Sequence, residues 1–151
     1  MKPRLLDLFC CAGAGARGYA AVGFDVVGVD IAAQPRYPYA FVQADAIEAG
    51  RILLATGLFA AAHASPPCQA HTDLQKQSKR AYLDFIPQTR ELLQSSGLPY
   101  IIENVEGAPL LDPVLLCGAM FPELRVYRHR LFESNGHQLM AAVAGQLQAA
   151  A

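Results

Sequence analysis

The feature that most constrains this chain is a cysteine standing behind two consecutive prolines. Phe59 to Ala64 is a run of small apolar residues that reads as a buried strand of a parallel sheet. Pro66 and Pro67 then forbid both a sheet ladder and a helix, so the chain must leave the sheet edge extended. The residue thrust out at that point is Cys68, followed by Gln69. A thiol held at the carboxyl end of a central strand sits where open α/β sheets bind ligands. The ordinary role of a lone free cysteine is buried packing. Two prolines before it and a polar loop after it fit that role poorly, and Cys68 reads as a nucleophile.

The rest of the chain supplies further strands that end in polar groups. Arg4 to Phe9 is a first strand, followed by the small-residue turn Cys10 to Gly18 and a short helix toward Val22. Glycines there permit close approach of a ligand, and a helix N-terminus offers free amide donors. Asp25 to Asp30 is a second strand, and Asp30 follows the turn at the distance expected of a carboxylate on a ribose. Phe41 to Asp45 is a third, where Asp45 either accepts from an adenine amino group or caps a helix over Ile47–Leu54. Ala70 to Arg80 is polar and without apolar period, the pattern of a functional loop with Lys76, Lys79 and Arg80 at its basic end. A helix over Arg80–Ser96, broken at Pro87, stops at Gly97. Pro99 to Ile102 then delivers Glu103-Asn104-Val105 to the same edge as Cys68. Val114–Cys117 and Leu131–Glu133 are late strands, with Arg125, Arg128, His129 and Arg130 between them.

Composition narrows the class. One hundred and fifty-one residues, 53% hydrophobic and 17% charged, suit one compact domain over about residues 1–135. From 136 to 151 the chain is Ala- and Gln-rich, with Leu139, Val143 and Leu147 at helical spacing, and reads as a terminal helical tail. No apolar run reaches the roughly 18 residues of a membrane span, and the amino end lacks a cleavage pattern, so a cytoplasmic protein is expected. Cys10, Cys11, Cys68 and Cys117 form no disulfide framework. A net charge of −1 gives no global field toward nucleic acid, so any such binding must use local basic groups.

A thiolate beside a protonated carboxyl group suits conjugate addition to an electron-poor ring. A pyrimidine attacked in this way becomes nucleophilic at the neighbouring carbon and can accept a methyl group from a sulfonium donor. Here the sequence resembles the DNA cytosine-5 methyltransferases, in particular the short phage-encoded forms associated with restriction and modification. Asp7-Leu8-Phe9 with Gly13 resembles that family's first cofactor motif. Pro66-Pro67-Cys68-Gln69 resembles its catalytic loop, Glu103-Asn104-Val105 the motif whose glutamate meets ring nitrogen 3, and Arg128-His129-Arg130 its Arg-x-Arg pair.

The resemblance implies a Rossmann-like α/β fold with a mostly parallel sheet and helices on both faces. It implies S-adenosylmethionine as cofactor, held by Phe9, Gly13, Gly15, Asp30, Ile31, Asp45 and Pro67. It implies double-stranded DNA as substrate, a flipped base, and chemistry by Cys68 and Glu103 with Arg128 and Arg130. No metal is expected.

Two departures stand out. Cys11 and Ala14 occupy places where the family has glycines. Nothing after Gly136 resembles the family's target-recognition region, which leads to the expectation of weak, unselective DNA binding and of a second polypeptide supplying that part. Rival readings are a transfer-RNA cytosine methyltransferase, a non-catalytic remnant, and a nicotinamide oxidoreductase. The last gives no task to Cys68 or Glu103. A zinc site from His63, Cys68, His71 and another cysteine matches no tetrahedral ligand spacing.

Overall fold

A computed structural model of the chain describes residues 1–71, 82–121 and 123–136. Strand β1 (Arg4–Leu8) is followed by helix α1 (Ala14–Ala21), β2 (Asp25–Asp30), β3 (Ala40–Gln43) and α2 (Ala46–Ala55). Then come β4 (Ala61–Ala64), α3 (Ile86–Ser96), β5 (Tyr100–Asn104), β6 (Val114–Cys117) and β7 (His129–Ser134). The described strands form one sheet in the order β3-β2-β1-β4-β5-β7-β6. The first five pair in parallel, and β7 inserts antiparallel between β5 and β6.

Alternation along each strand sends side chains to two faces, and each face has its own helices. Leu6, Leu8, Val29, Ala62, Ala64 and Ile102 pack with Ile86, Leu92 and Leu93 of α3 and Ile47 and Leu54 of α2. The opposite face puts Leu5 and Val26 under Ala16 of α1 and Tyr37. Leu8 is completely buried, and Leu8→Ala removes about 2–5 kcal/mol of packing and cavity energy. The helices therefore cover both faces, as the resemblance implied.

Three boundaries differ from the expected ones. The helix expected from Arg80 begins at Ile86, with Pro87 in its first turn. Proline breaks helix interiors but suits this place, where its missing N–H has no acceptor to lose. The third strand stops at Gln43, and Asp45 lies beyond it as the N-cap of α2. His129 and Arg130, expected between the late strands, belong to β7 itself. Gly97 does end α3, at φ 68°, where a left-handed residue closes the last turn. The basic end of the loop (Lys76, Lys79, Arg80) and the tail helix with Leu139, Val143 and Leu147 lie outside the described residues. Among the described residues no helix is long and apolar enough to cross a membrane.

Candidate active site at the carboxyl ends of the strands

The sheet reverses its winding between β1 and β4: β2 and β3 extend one way, β5 and its neighbours the other. Loops leaving two such adjacent strands diverge and open a crevice at their carboxyl ends. The turn after β1 forms one wall. Phe9, Cys11 and Gly13 have φ of 56°, 45° and 81°, so the backbone enters the left-handed region at every second residue. For Phe9 and Cys11 this costs about 1–2 kcal/mol each, and hydrogen bonds hold the turn in place. Cys10 N donates to Val29 O (3.1 Å), Gly13 N to Cys10 O (3.0 Å), and Cys11 N to Asp30 Oδ2 (3.0 Å). The second oxygen of Asp30 accepts from Ala32 N at 2.9 Å. Asp30, read as a ribose ligand, thus also ties the turn of β1 to the exit of β2.

Gly13 is required on the protein side, since a Cβ there would lie 2.9 Å from the Tyr37 ring; one at Gly15 would meet His63 Cε1 at an ordinary contact distance of 3.5 Å. Phe9 packs edge-on against Phe85, with ring centroids 6.0 Å apart. Ile31 stands exposed beside Asp30. Asp45 accepts from Ile47 N (2.9 Å) and Glu48 N (3.0 Å), so of its two proposed tasks the cap is the one formed here. It also lines a shallow cavity of about 290 Å³ with Arg51, Phe85 and Gln88. A larger cavity of about 680 Å³, between Met1–Arg4 and Gly57–Ala60, lies at the opposite, amino end of the strands, away from these groups.

The other wall is the Pro66-Pro67-Cys68 segment. Ser65 N donates to Leu8 O (3.1 Å), Asn104 Nδ2 to Pro66 O (3.0 Å), and His71 N to Cys68 O (2.9 Å). Cys68 itself and Pro67 are half-buried. The bond from Asn104 joins the end of β5 to the segment that carries the thiol. Glu103 precedes Asn104 and so points to the opposite face of the sheet.

On that face a line of ionisable groups crosses the strands. Asp7 Oδ1 lies 2.9 Å from His63 Nδ1, His63 Nε2 lies 3.9 Å from Glu103 Oε2, and Glu103 Oε1 lies 3.3 Å from Arg130 Nε. Tyr37 OH donates to Asp7 Oδ2 at 3.4 Å. Asp7 and His63 are 2% and 3% exposed, so each needs the other to offset its desolvation. Arg130 reaches Glu103 because β7 runs antiparallel beside β5. The two arginines of the Arg-x-Arg pair therefore part company. Arg128 is exposed, and among the described residues its recorded bond is through its backbone, whose carbonyl accepts from Gly118 N.

Two of the remaining thiols, Cys10 and Cys11, are held in the neutral form. Burial, then the charges of Asp7 and Asp30, push the Cys10 thiol up to about 12. Burial and Asp30 raise Cys11 as well. Burial and the Asp7 carboxylate raise the hydroxyls of Tyr19 and Tyr37 in the same way. Thiols are nucleophilic only as thiolates, so Cys10 and Cys11 are poor candidates and Cys117 is buried.

Sequence reading named His63 only as a zinc-ligand candidate and missed its place in this line, as it missed the anchoring role of Asn104. The signal for His63 was present: Asp7, His63 and Glu103 are each the penultimate residue of their strand. The register pairs Asp7 with His63 and His63 with Ile101, so Glu103, two residues further along β5, lies diagonally beyond His63 on the same face.

No protein-family model matches the sequence, and no curated protein matches it. Solved structures do match. The Spodoptera frugiperda DNMT2 triple mutant superposes with a TM-score of 0.61 at 16% identity, over 89% of this chain and 51% of that one. A SAM-dependent methyltransferase from Agrobacterium tumefaciens gives 0.53 at 14% identity, over 89% and 55%. An antibiotic-related methyltransferase gives 0.52 at 10% identity, over 89% and 88%. The chain spans about half the length of the first two. At these identities the likeness speaks for architecture, and the architecture is the Rossmann-like fold of the S-adenosylmethionine-dependent methyltransferases.

Proposed function

We propose that this chain binds S-adenosylmethionine and transfers its methyl group to carbon 5 of cytosine in DNA, through a covalent adduct on Cys68. The observation that carries this reading is the hydrogen bond from Asn104 to Pro66, which couples the thiol-bearing segment to the strand end presenting Glu103. A nucleophile and a carboxyl group on two adjacent strand ends can act on two atoms of one planar base.

The turn after β1, closed by Asp30 and followed by exposed Ile31, is the wall that would hold the cofactor, with Pro67 opposite and the cavity at Asp45 beyond. When bound, the cofactor supplies an electrophilic methyl group. The chain's own residues do the rest. Cys68 as thiolate adds to carbon 6 of a flipped cytosine, and the electron pair moves through the ring toward nitrogen 3. Glu103 donates a proton to that nitrogen and absorbs the developing charge. Arg130 holds the Glu103 side chain from its far oxygen. After carbon 5 is methylated, its proton passes to water as the Cys68 sulfur leaves with its electron pair, and nitrogen 3 returns its proton to Glu103, which restores the ring.

Partner readings follow from what is exposed. Arg125 and Arg128 are exposed on the segment leading into β7, where they could meet phosphates. Met120, Phe121, Leu124, Val126 and Tyr127 are exposed on the same segment, which supports a covering polypeptide there.

The test is trapping. Duplex DNA carrying 5-fluorocytosine should form a covalent adduct with the chain in the presence of S-adenosylmethionine, because fluorine cannot leave as a proton. Cys68→Ala should abolish it. Adducts with 5-fluorocytosine in transfer RNA and none in DNA would reassign the substrate. An adduct mapped to Cys10, Cys11 or Cys117 would overturn the site.

A further inference from the structure

The Asp7–His63 pair takes no part in the chemistry above, yet it lies directly behind Glu103. One ring nitrogen of His63 is hydrogen-bonded to Asp7 at 2.9 Å, and the other faces the Glu103 carboxylate at 3.9 Å, beyond a hydrogen bond. An ionised Asp7 can only accept, so Nδ1 bears a proton and the nitrogen free to gain or lose one is Nε2. That nitrogen faces Glu103. The titratable groups around His63 among the described residues are Asp7 of β1, Glu103 of β5 and Tyr19 of α1, whose ring centroid is 5.4 Å away. Tyr37 and Cys10 act on it through Asp7, and both are held neutral. Arg130 lies beyond Glu103, on the other carboxylate oxygen.

Arg130 lies 3.3 Å from Glu103 with a guanidinium that does not give up a proton, whereas the proposed reaction needs a proton on that carboxyl group. We propose that His63 is the positioning residue that resolves this conflict, by holding on Nε2 the proton that Glu103 will deliver. The inference rests on the reading of Glu103 as proton donor. In the transfer the Nε2–H bond breaks and its electron pair stays on the ring. An O–H bond forms at Glu103 Oε2, while the Nδ1–H bond of His63 stays intact and hydrogen-bonded to Asp7 throughout. Imidazolium and carboxylate become imidazole and carboxylic acid, so charge balances. The 3.9 Å gap closes by rotation of Glu103, whose side chain is 27% exposed, toward a ring that is 4% exposed and fixed.

Two measurements on the whole chain test this. In ¹⁵N spectra of the histidine ring at a fixed pH near 7, Glu103→Gln should lower the ratio of protonated to unprotonated Nε2 about tenfold, the usual effect of losing a carboxylate at this range. An unchanged ratio overturns the pairing, whatever the enzyme does. Separately, His63→Gln should slow adduct formation on 5-fluorocytosine DNA about 100-fold, with DNA affinity kept and the fall in rate on the alkaline side of the pH profile lost. A rate within threefold of the parent overturns the proposal. If the parent chain forms no adduct, the methylation reading fails, while the ring spectra still judge the pairing. Glu103→Gln alters a partly exposed side chain, so that arm survives even if His63→Gln does not fold.

Discussion

Asn104 donates from Nδ2 to the carbonyl of Pro66 at 3.0 Å, and its Oδ1 accepts from Val105 N at 2.9 Å. Both Asn104 and Pro66 are buried, so the bond has no competition from water. One side chain thus fixes the exit of β5 and the exit of β4 together, on the face opposite Glu103. The thiol and the carboxyl group are carried by backbone that cannot drift apart without breaking this bond.

Replacing Asn104 should therefore affect stability moderately and adduct formation more. Asn104→Ala leaves the Pro66 carbonyl without its donor, a cost of about 1–3 kcal/mol. Asn104→Asp keeps the acceptor for Val105 but sets an acceptor against an acceptor at Pro66. Both should lower the urea midpoint, and both should slow trapping at Cys68. A variant with reduced stability and an unaltered trapping rate would show that the bond serves the fold alone.

A second buried tie lies on the α3 side. Arg90 Nη2 is 2.7 Å from Glu133 Oε2 and its Nε 2.8 Å from Oε1, while Leu111 N donates to the same carboxylate. The bond to Glu133 holds Arg90 firmly charged, its guanidinium raised above the ordinary range. Arg90→Met strands a carboxylate that is 3% exposed, and should cost about 3–5 kcal/mol. Arg90→Met with Glu133→Leu should recover much of that loss, since neither charge is then buried alone. Urea unfolding of the single and double variants measures the difference; equal losses would contradict the account.

Much of the fold was legible because short apolar runs bounded by Gly, Pro or Asp admit few other readings. The strands Asp25–Asp30 and Val114–Cys117 were placed as they stand. What failed was anything decided by neighbours distant in sequence. Arg130 meets Glu103 only because β7 slips between β5 and β6, an order that local pattern does not encode. Likewise Asp45 was legible as a helix cap or a ligand, but not as which. Cys68 and Glu103 stood out as candidates because proline pairs and carboxylates ending apolar strands are costly unless used. His63 was weighed only as a metal ligand because its neighbours are alanines, and its pairing with Asp7 appears only when β1, β4 and β5 are laid side by side.

Alkaline pH should destabilise the fold through Cys10. Its ordinary value is 9.0, raised to about 12 by burial and by Asp7 and Asp30. Below pH 9 the thiol is neutral in both states and contributes no pH dependence. Between 9 and 12 the unfolded chain releases the proton and the folded one keeps it, so the folded state binds more protons and stability falls as pH rises. One such group gives a slope of up to about 1.4 kcal/mol per pH unit. Cys10→Ala should flatten the fall between pH 9 and 10, before the tyrosines ionise in the unfolded chain. Urea midpoints at pH 8, 9 and 10 for both proteins test it, and parallel curves would remove Cys10 from the explanation.

Asp30 separates the cofactor reading from plain architecture. Each of its oxygens already accepts one backbone bond, from Cys11 and from Ala32, and each has a further lone pair to offer. Asp30→Ala removes both ties and should loosen a turn that holds Phe9 and Cys11 at positive φ. Its stability should fall by about 1–3 kcal/mol, and S-adenosylmethionine binding should weaken in step. Asp30→Asn is the sharper variant. Its carbonyl can still accept from Cys11, while its amide cannot accept from Ala32, so part of the turn survives. If the carboxylate also receives two ribose hydroxyls, Asp30→Asn should bind the cofactor at least tenfold more weakly, with a smaller loss of stability than Asp30→Ala. Calorimetry of both variants with S-adenosylhomocysteine decides the matter, and affinity that merely tracks stability across the pair would leave Asp30 as a clasp for the turn.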